Sequence, residues 1–185
     1  MPAAERLFAI REQRTYNRGM HLKPQDLVVA LKLAVAGNMT YDELAASLGL
    51  SKSEAHAAVK RAKAAGLLRG DRQPIRHALL EFLLHGVRYA FPAVRGHQVR
   101  GMPTAYAAPP LSDLIHAGLD PLPVWPDAEG EVRGEAFLPL YPSAPAAARV
   151  DPKLYQSLSL IDALRGGRVR ERNLAKEHLT RLING

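Results

Sequence analysis

Two helix starts stand eleven residues apart in this chain, and each carries the same signature: Thr40 followed by Glu43, and Ser51 followed by Glu54. A hydroxyl just ahead of a helix accepts from its third amide, and a carboxylate at that third position reaches back to the amide of the capping residue. Each pair can therefore close two orphan donors. Between them lies Leu48-Gly49-Leu50. Glycine enters the left-handed region without steric penalty and ends the first helix, while the flanking leucines hold both helices to one core. Thr40 to Ala65 is thus predicted to form a short helix, a tight turn and a longer helix.

The flanking sequence supplies a body for this pair. Pro24 suits a first helical turn, and LVVALKLAVA, with Lys32 as its only charge, leads to a stop at Gly37-Asn38. A helix apolar on every side is buried on every side. It reads as the central helix, covered by the N-terminal segment or by a second subunit. Ala3 to Arg14 is expected to be an amphipathic helix with Leu7, Phe8 and Ile10 turned inward. On the second capped helix Ala55, Ala58, Val59 and Ala62 recur at helical spacing and face the core, leaving Ser53, His56, Lys60 and Lys63 as the outer stripe. Gly66 closes that helix. Leu67-Leu68-Arg69 is a short strand, Gly70 to Pro74 a turn, and Arg76 to Phe91 a helix with a wide apolar face, wide enough to serve a twin subunit.

In this order of elements, residues 24–76 resemble bacterial winged helix-turn-helix transcription regulators of the MarR and Lrp kind, with Ala45, Gly49 and the core leucines at the motif's positions. The resemblance implies a cytoplasmic, homodimeric regulator that places the Ser51 to Ala65 helix in the major groove of double-stranded DNA. The residue chemistry agrees with that use. Ser51, Lys52, Ser53 and His56 are short or polar groups that could meet base edges or the nearest phosphates, with Thr40 and Tyr41 at the start of the first helix beside them. Lys60, Lys63, Arg69, Arg72 and Arg76 would hold the phosphate backbone. Glu54 is assigned to capping rather than to a cytosine amino group. A reading from another class is a winged-helix interaction adaptor, or an antitoxin-like partner subunit, that clasps another protein through its C-terminal half.

Charge favours an anionic partner. The formal net charge is +7, and between Ser51 and Arg76 seven basic residues face two acidic ones. The absence of cysteine excludes disulfides, thiol nucleophiles and Cys-ligated zinc. No apolar run reaches the roughly 18 residues of a membrane span, and no leader pattern follows Met1. His77, Glu81 and His85 recur every four residues, a spacing able to hold a metal, but the stripe continues to Arg88 opposite the leucines and reads as a polar face. No nucleophile elbow, phosphate-cradling glycine loop or legible carboxylate pair is present, so neither enzyme activity nor a cofactor is expected.

Past Pro92 the character changes, for ten of the fourteen prolines fall between Pro92 and Pro145. The expected fold is mainly α with small β, in three parts: residues 1–91 as the winged helix-turn-helix domain, 92–150 as an extended proline-rich strap, and 151–185 as a helical hairpin. Long regular elements are not expected in the strap. Ser112 to Ala117 reads as one or two helical turns, and Pro123 to Trp125 with Val132 to Leu140 as a β-hairpin. Trp125 and the tyrosines read as anchors. From Pro92 to Ala148 six acidic residues against three arginines predict that the strap does not touch phosphate. Asp151-Pro152 opens the hairpin, and Arg165, Arg168, Arg170 and Arg172 form a solvated bend, partly neutralised by Asp162 and Glu171.

Overall fold

The computed structural model describes residues 21–115, 118 and 120–185; the expected helix over residues 3–14 lies outside them. The protein is mostly helical, with one small three-stranded sheet.

Helix α1 (Pro24–Ala36) is buried from Asp26 to Leu31 on every side, as its sequence demands. The N-terminal segment expected to cover it lies outside the described residues. The helix packs on α3 (Lys52–Ala64) and on the C-terminal helices α7 (Pro152–Gly166) and α8 (Val169–Asn184) of the same chain. Asp26 caps the helix by accepting from the Lys23 amide at 2.7 Å. Lys32, the one charge of the apolar run, is ion-paired with Asp151 at the start of α7.

Helix α2 (Tyr41–Leu48) begins with the complete reciprocal cap. Thr40 Oγ1 accepts from the Glu43 amide at 3.2 Å, and Glu43 accepts from the Thr40 amide at 2.8 Å. Gly49 closes it at φ 62°, ψ 35°, in the left-handed region. At α3 only half of the cap forms: Ser51 Oγ accepts from the Glu54 amide at 3.1 Å, while the Glu54 carboxylate turns elsewhere. Ala55, Ala58, Val59 and Ala62 face inward as predicted. The chain beyond Gly66 makes a single antiparallel bridge, Leu68 to Pro74, flanked by the bonds Arg69 N to Gln73 O and Ile75 N to Leu67 O. The helix expected over residues 76–91 runs as α4 (Arg76–Glu81), a π-helical turn (Phe82–Gly86) and α5 (Val87–Ala90). Gly86 fits this turn because a Cβ there would lie 3.0 Å from the Phe82 ring.

The proline-rich part holds the largest departures from expectation. Arg95–Pro103 is a nine-residue strand, β1, where no long element was predicted. Strands β2 (Pro123–Pro126) and β3 (Val132–Phe137) do not form a hairpin. Each pairs antiparallel with β1, at opposite edges, and they meet each other in parallel at Pro123 with Glu135 and Val124 with Ala136, closing a three-stranded barrel. So small a ring needs backbones in near contact. A Cβ on Gly101 would lie 2.1 Å from the Trp125 carbonyl oxygen, one on Gly134 2.1 Å from that of Leu122, and one on Gly130 2.3 Å from Gly101. The three glycines therefore permit the closure. A 3-10 turn, Leu111–Asp113, stands at the start of the helical turns expected from Ser112, whose end lies outside the described residues.

A short helix, α6 (Ala144–Val150), leads into α7 and α8, the hairpin read from Asp151-Pro152. Asp151 caps α7 by accepting from the Leu154 amide at 3.0 Å. Every residue of α7 from Ser157 to Leu164 is buried, so this helix is a second centre of the molecule. One apolar cluster joins Leu27 in α1 to Ile183 in α8 and includes Trp125 and Tyr141. At its heart the buried Asp162 carboxylate accepts from Trp125 Nε1 at 2.6 Å, Thr104 Oγ1 at 2.8 Å and Arg165 Nη1 at 2.5 Å. Burial pushes this carboxyl above its ordinary value, and Arg165, Trp125 and Thr104 pull it back. Trp125 is the core anchor its sequence suggested, but Arg165 is no solvated residue of the bend. It also donates to the carbonyls of Phe91 and Pro92, stitching the three segments together.

Candidate nucleic-acid interface

The outer face of α3 carries Ser53, His56 and Lys60, all exposed, beginning at Ser51. Ser51 and Ser53 share a hydrogen bond between hydroxyls at 3.1 Å. Lys60, Arg69 and Arg76 are exposed, and among the described residues none of them has a side-chain hydrogen bond or ion pair. These three cations are the ones left unmatched among the sequence-predicted phosphate contacts.

The other predicted contacts are held more tightly. Lys52 lies 2.8 Å from Asp42 on α2, an exposed pair of the kind worth at most about 1 kcal/mol, so Lys52 is readily exchanged to another anion. Lys63 Nζ donates to the Gly70 carbonyl at 2.5 Å and buttresses the loop rather than reaching past it. Thr40 is engaged in its cap, and its backbone amide holds the Glu43 carboxyl below the usual carboxylate range. Tyr41 and His56 stack with ring centroids 3.5 Å apart, and the Arg72 guanidinium lies over the Tyr41 ring at 4.8 Å. Arg72 also donates to the Met39 carbonyl at 3.0 Å and sits at φ 71°, a left-handed conformation that a non-glycine residue adopts at a penalty of order 1 kcal/mol. The column His56, Tyr41, Arg72 thus ties α3, the start of α2 and the loop after α3 into one rigid face.

A second bracket escaped the sequence reading. Arg61, one of the seven basic residues between Ser51 and Arg76, points inward. It donates from Nε and Nη2 to the fully buried Asp26 at 2.8–3.0 Å and from Nη2 to Glu54 at 2.5 Å. Asp26 raises the Arg61 pKa above its ordinary value. Glu54 is therefore neither the second half of a cap nor aimed at a base. The signal was present in the sequence: Glu54 and Arg61 lie seven residues apart on one helical face, and Asp26 is an acid at the head of an apolar helix. The bracket fixes the rotation of α3 about its axis against α1.

The bend before α8 also resolves into particular partners. Arg168 pairs with Asp120 at 2.8 Å, Arg172 donates to the Gly167 carbonyl at 2.5 Å, and Arg170 is exposed. A cleft of about 270 Å³ between the barrel and α8 is lined by Arg95, Tyr106, Asp120, Glu135, Arg168 and Glu171. Its two arginines are each matched to a carboxylate of the same cleft. His77, Glu81 and His85 are exposed, and no group of three metal-ligating side chains comes together among the described residues. No described helix is long and apolar enough to cross a membrane.

Comparison with models of protein families, with curated proteins and with solved structures gives no match to this chain.

Proposed function

We propose that the protein is a winged helix-turn-helix regulator of transcription that binds specific double-stranded DNA as a cytoplasmic homodimer. The observation that carries this reading is the combination of an exposed stripe on α3 with unmatched cations on and beyond it, mounted on a helix whose rotation is locked by Asp26, Arg61 and Glu54. Ser53 and the exposed edge of His56 are the groups for base edges. Lys60, Arg69 and Arg76 take phosphates, and Lys52 joins them by leaving Asp42. Two copies would address successive major grooves, about 34 Å apart.

The test is fluorescence anisotropy of the full chain on its own promoter fragment, with genomic competitor and a salt series. Binding that weakens steeply with salt is expected, and Lys60→Glu with Arg69→Glu should weaken it by at least about tenfold. No binding by the unaltered protein at low salt overturns the proposal. A mass measurement in solution tests the dimer.

The adaptor reading has its own support in the exposed Tyr89, Val94 and Leu138. Leu138 donates its amide to the Val94 carbonyl, so two of these side chains share one edge. A protein partner that stays bound to the Lys60→Glu, Arg69→Glu variant would favour it.

A further inference from the structure

The strap is acidic by count, yet its charges are not distributed as the count implies. Glu135 is bound to Arg95, Asp120 to Arg168, and Asp127 and Glu129 both to Arg149 of α6. Among the exposed charges that have no ion-pair partner among the described residues are Glu131, just ahead of β3, and two arginines in an unusual relation. Arg100 of β1 and Arg133 of β3 are directly opposite in the antiparallel register. Directly opposed residues project from the same face with Cβ atoms roughly 5 Å apart, and like charges so placed repel. Both residues are exposed, and neither has an ion-pair partner among the described residues; Glu131, which precedes β3, pairs with neither. The repulsion would vanish if an anion with several acceptor oxygens lay between the two guanidinium forks, which suit phosphate geometry.

The position of the pair connects it to the α2–α3 turn through a short series of contacts. The Arg100 carbonyl accepts from the Asp127 amide at 3.2 Å, and Asp127 is gripped by Arg149. Arg149 lies in α6, whose seven residues span only about 10 Å. The residue that precedes α6, Ser143, donates its hydroxyl to the Gly49 carbonyl at 3.2 Å, in the turn itself. A duplex presents a phosphate charge about every 1.7 Å along its axis, so one that meets α3 passes many phosphates over that distance.

We propose that Arg100 and Arg133 form a second phosphate clamp, on the barrel, which grips the backbone of the nucleic acid that α3 enters. This rests on the DNA-binding reading above and replaces the expectation that the strap avoids phosphate. The clamp carries no sequence information; it adds affinity and fixes how the duplex leaves the protein.

The experiment is a salt series on the full chain with the bound promoter duplex, comparing the unaltered protein, Arg100→Ala with Arg133→Ala, and Arg168→Ala, whose arginine lines the cleft beside α8 and is not part of the opposed pair. The double variant is expected to lower the slope of log K against log salt by nearly two, the share of two lost phosphate contacts, while Arg168→Ala leaves it unchanged. Arg100→Lys with Arg133→Lys should restore most of the slope. Thermal melting of each variant confirms that the fold is kept. An unchanged slope in the double variant, with binding otherwise normal, overturns the clamp and leaves the α3 reading standing. No duplex binding by the unaltered protein overturns both. Loss of binding to a polyglutamate peptide in the double variant, with its duplex binding intact, would assign the pair to an acidic protein and overturn the clamp.

Discussion

Residues 24–91 and residues 92–150 occupy the same molecule and obey different codes. In the first region each element is announced within a few residues of itself: Thr40 caps with Glu43, Gly49 turns the chain, and alanines face the core at helical spacing. In the second, the strands and the core anchors are defined by residues far away in sequence. β1 is a strand because β2 and β3 close around it, and Thr104 and Trp125 are held by Asp162 from the C-terminal hairpin. The contrast shows that proline and glycine content measures resistance to helix, not absence of order. Three glycines that look like breaks are the contacts at which a three-stranded ring closes.

The sharpest way to test whether the two regions are nonetheless one folding unit is to cut the network between them. Asp162→Ala strands Arg165, Trp125 and Thr104 in the core and is expected to destabilise the chain by about 3–5 kcal/mol in urea denaturation. Trp125, the only tryptophan, and far-ultraviolet dichroism should then report one coincident transition. If helical signal survives after the tryptophan has unfolded, the regions are separable. Gly101→Ala attacks the barrel alone. With a Cβ forced to within 2.1 Å of a carbonyl oxygen, it should lose roughly 1–3 kcal/mol or more. Gly70→Ala in the loop after α3, where nothing lies within 4 Å, should stay within about 0.5 kcal/mol of the parent. Equal losses at both glycines would erase the distinction drawn here. Thr40→Ala removes a purely local device and should lower stability by about 1 kcal/mol, seen as a shifted urea midpoint.

The smallest effect lies in acid. The hydrogen bond from Arg149 holds the Asp127 carboxyl below its ordinary value of 3.8. A carboxyl with a lowered folded value contributes stability above its unfolded pKa and loses that contribution as pH falls through the folded one. Melting temperature should therefore drop below about pH 4, and Arg149→Ala should remove part of that drop. An identical pH profile in the variant would show that this link between α6 and the barrel has no energetic weight.

The same contrast explains what the sequence disclosed. Caps, turn and inner alanines of α2 and α3 were legible because the partners lie three or four residues apart. The hairpin over residues 123–140 was misread because closeness in sequence favours antiparallel pairing, whereas the loop Asp127 to Glu131 carries the chain past Gly101 to the far edge of β1. β1 itself was hidden because RGHQVRGMP has no apolar alternation and most of it is exposed. Of the candidate interface, the exposed stripe was readable from helical spacing. The commitments of Lys63 and Arg72 were not, because each partner is a backbone carbonyl brought near by folding, whereas Arg61 had a local signal in Glu54 and a distant one in Asp26.

One arrangement has a meaning in time. Helix α1 is apolar all round, and two of the helices that cover it come last: Lys32 and its partner Asp151 are 119 residues apart. At roughly 5–20 residues per second of synthesis, α1 leaves the ribosome on the order of ten seconds before its cover is complete. During that interval the hydrophobic centre of the finished protein is a sticky segment on a nascent chain. The cell must keep it from other surfaces until the final helices emerge.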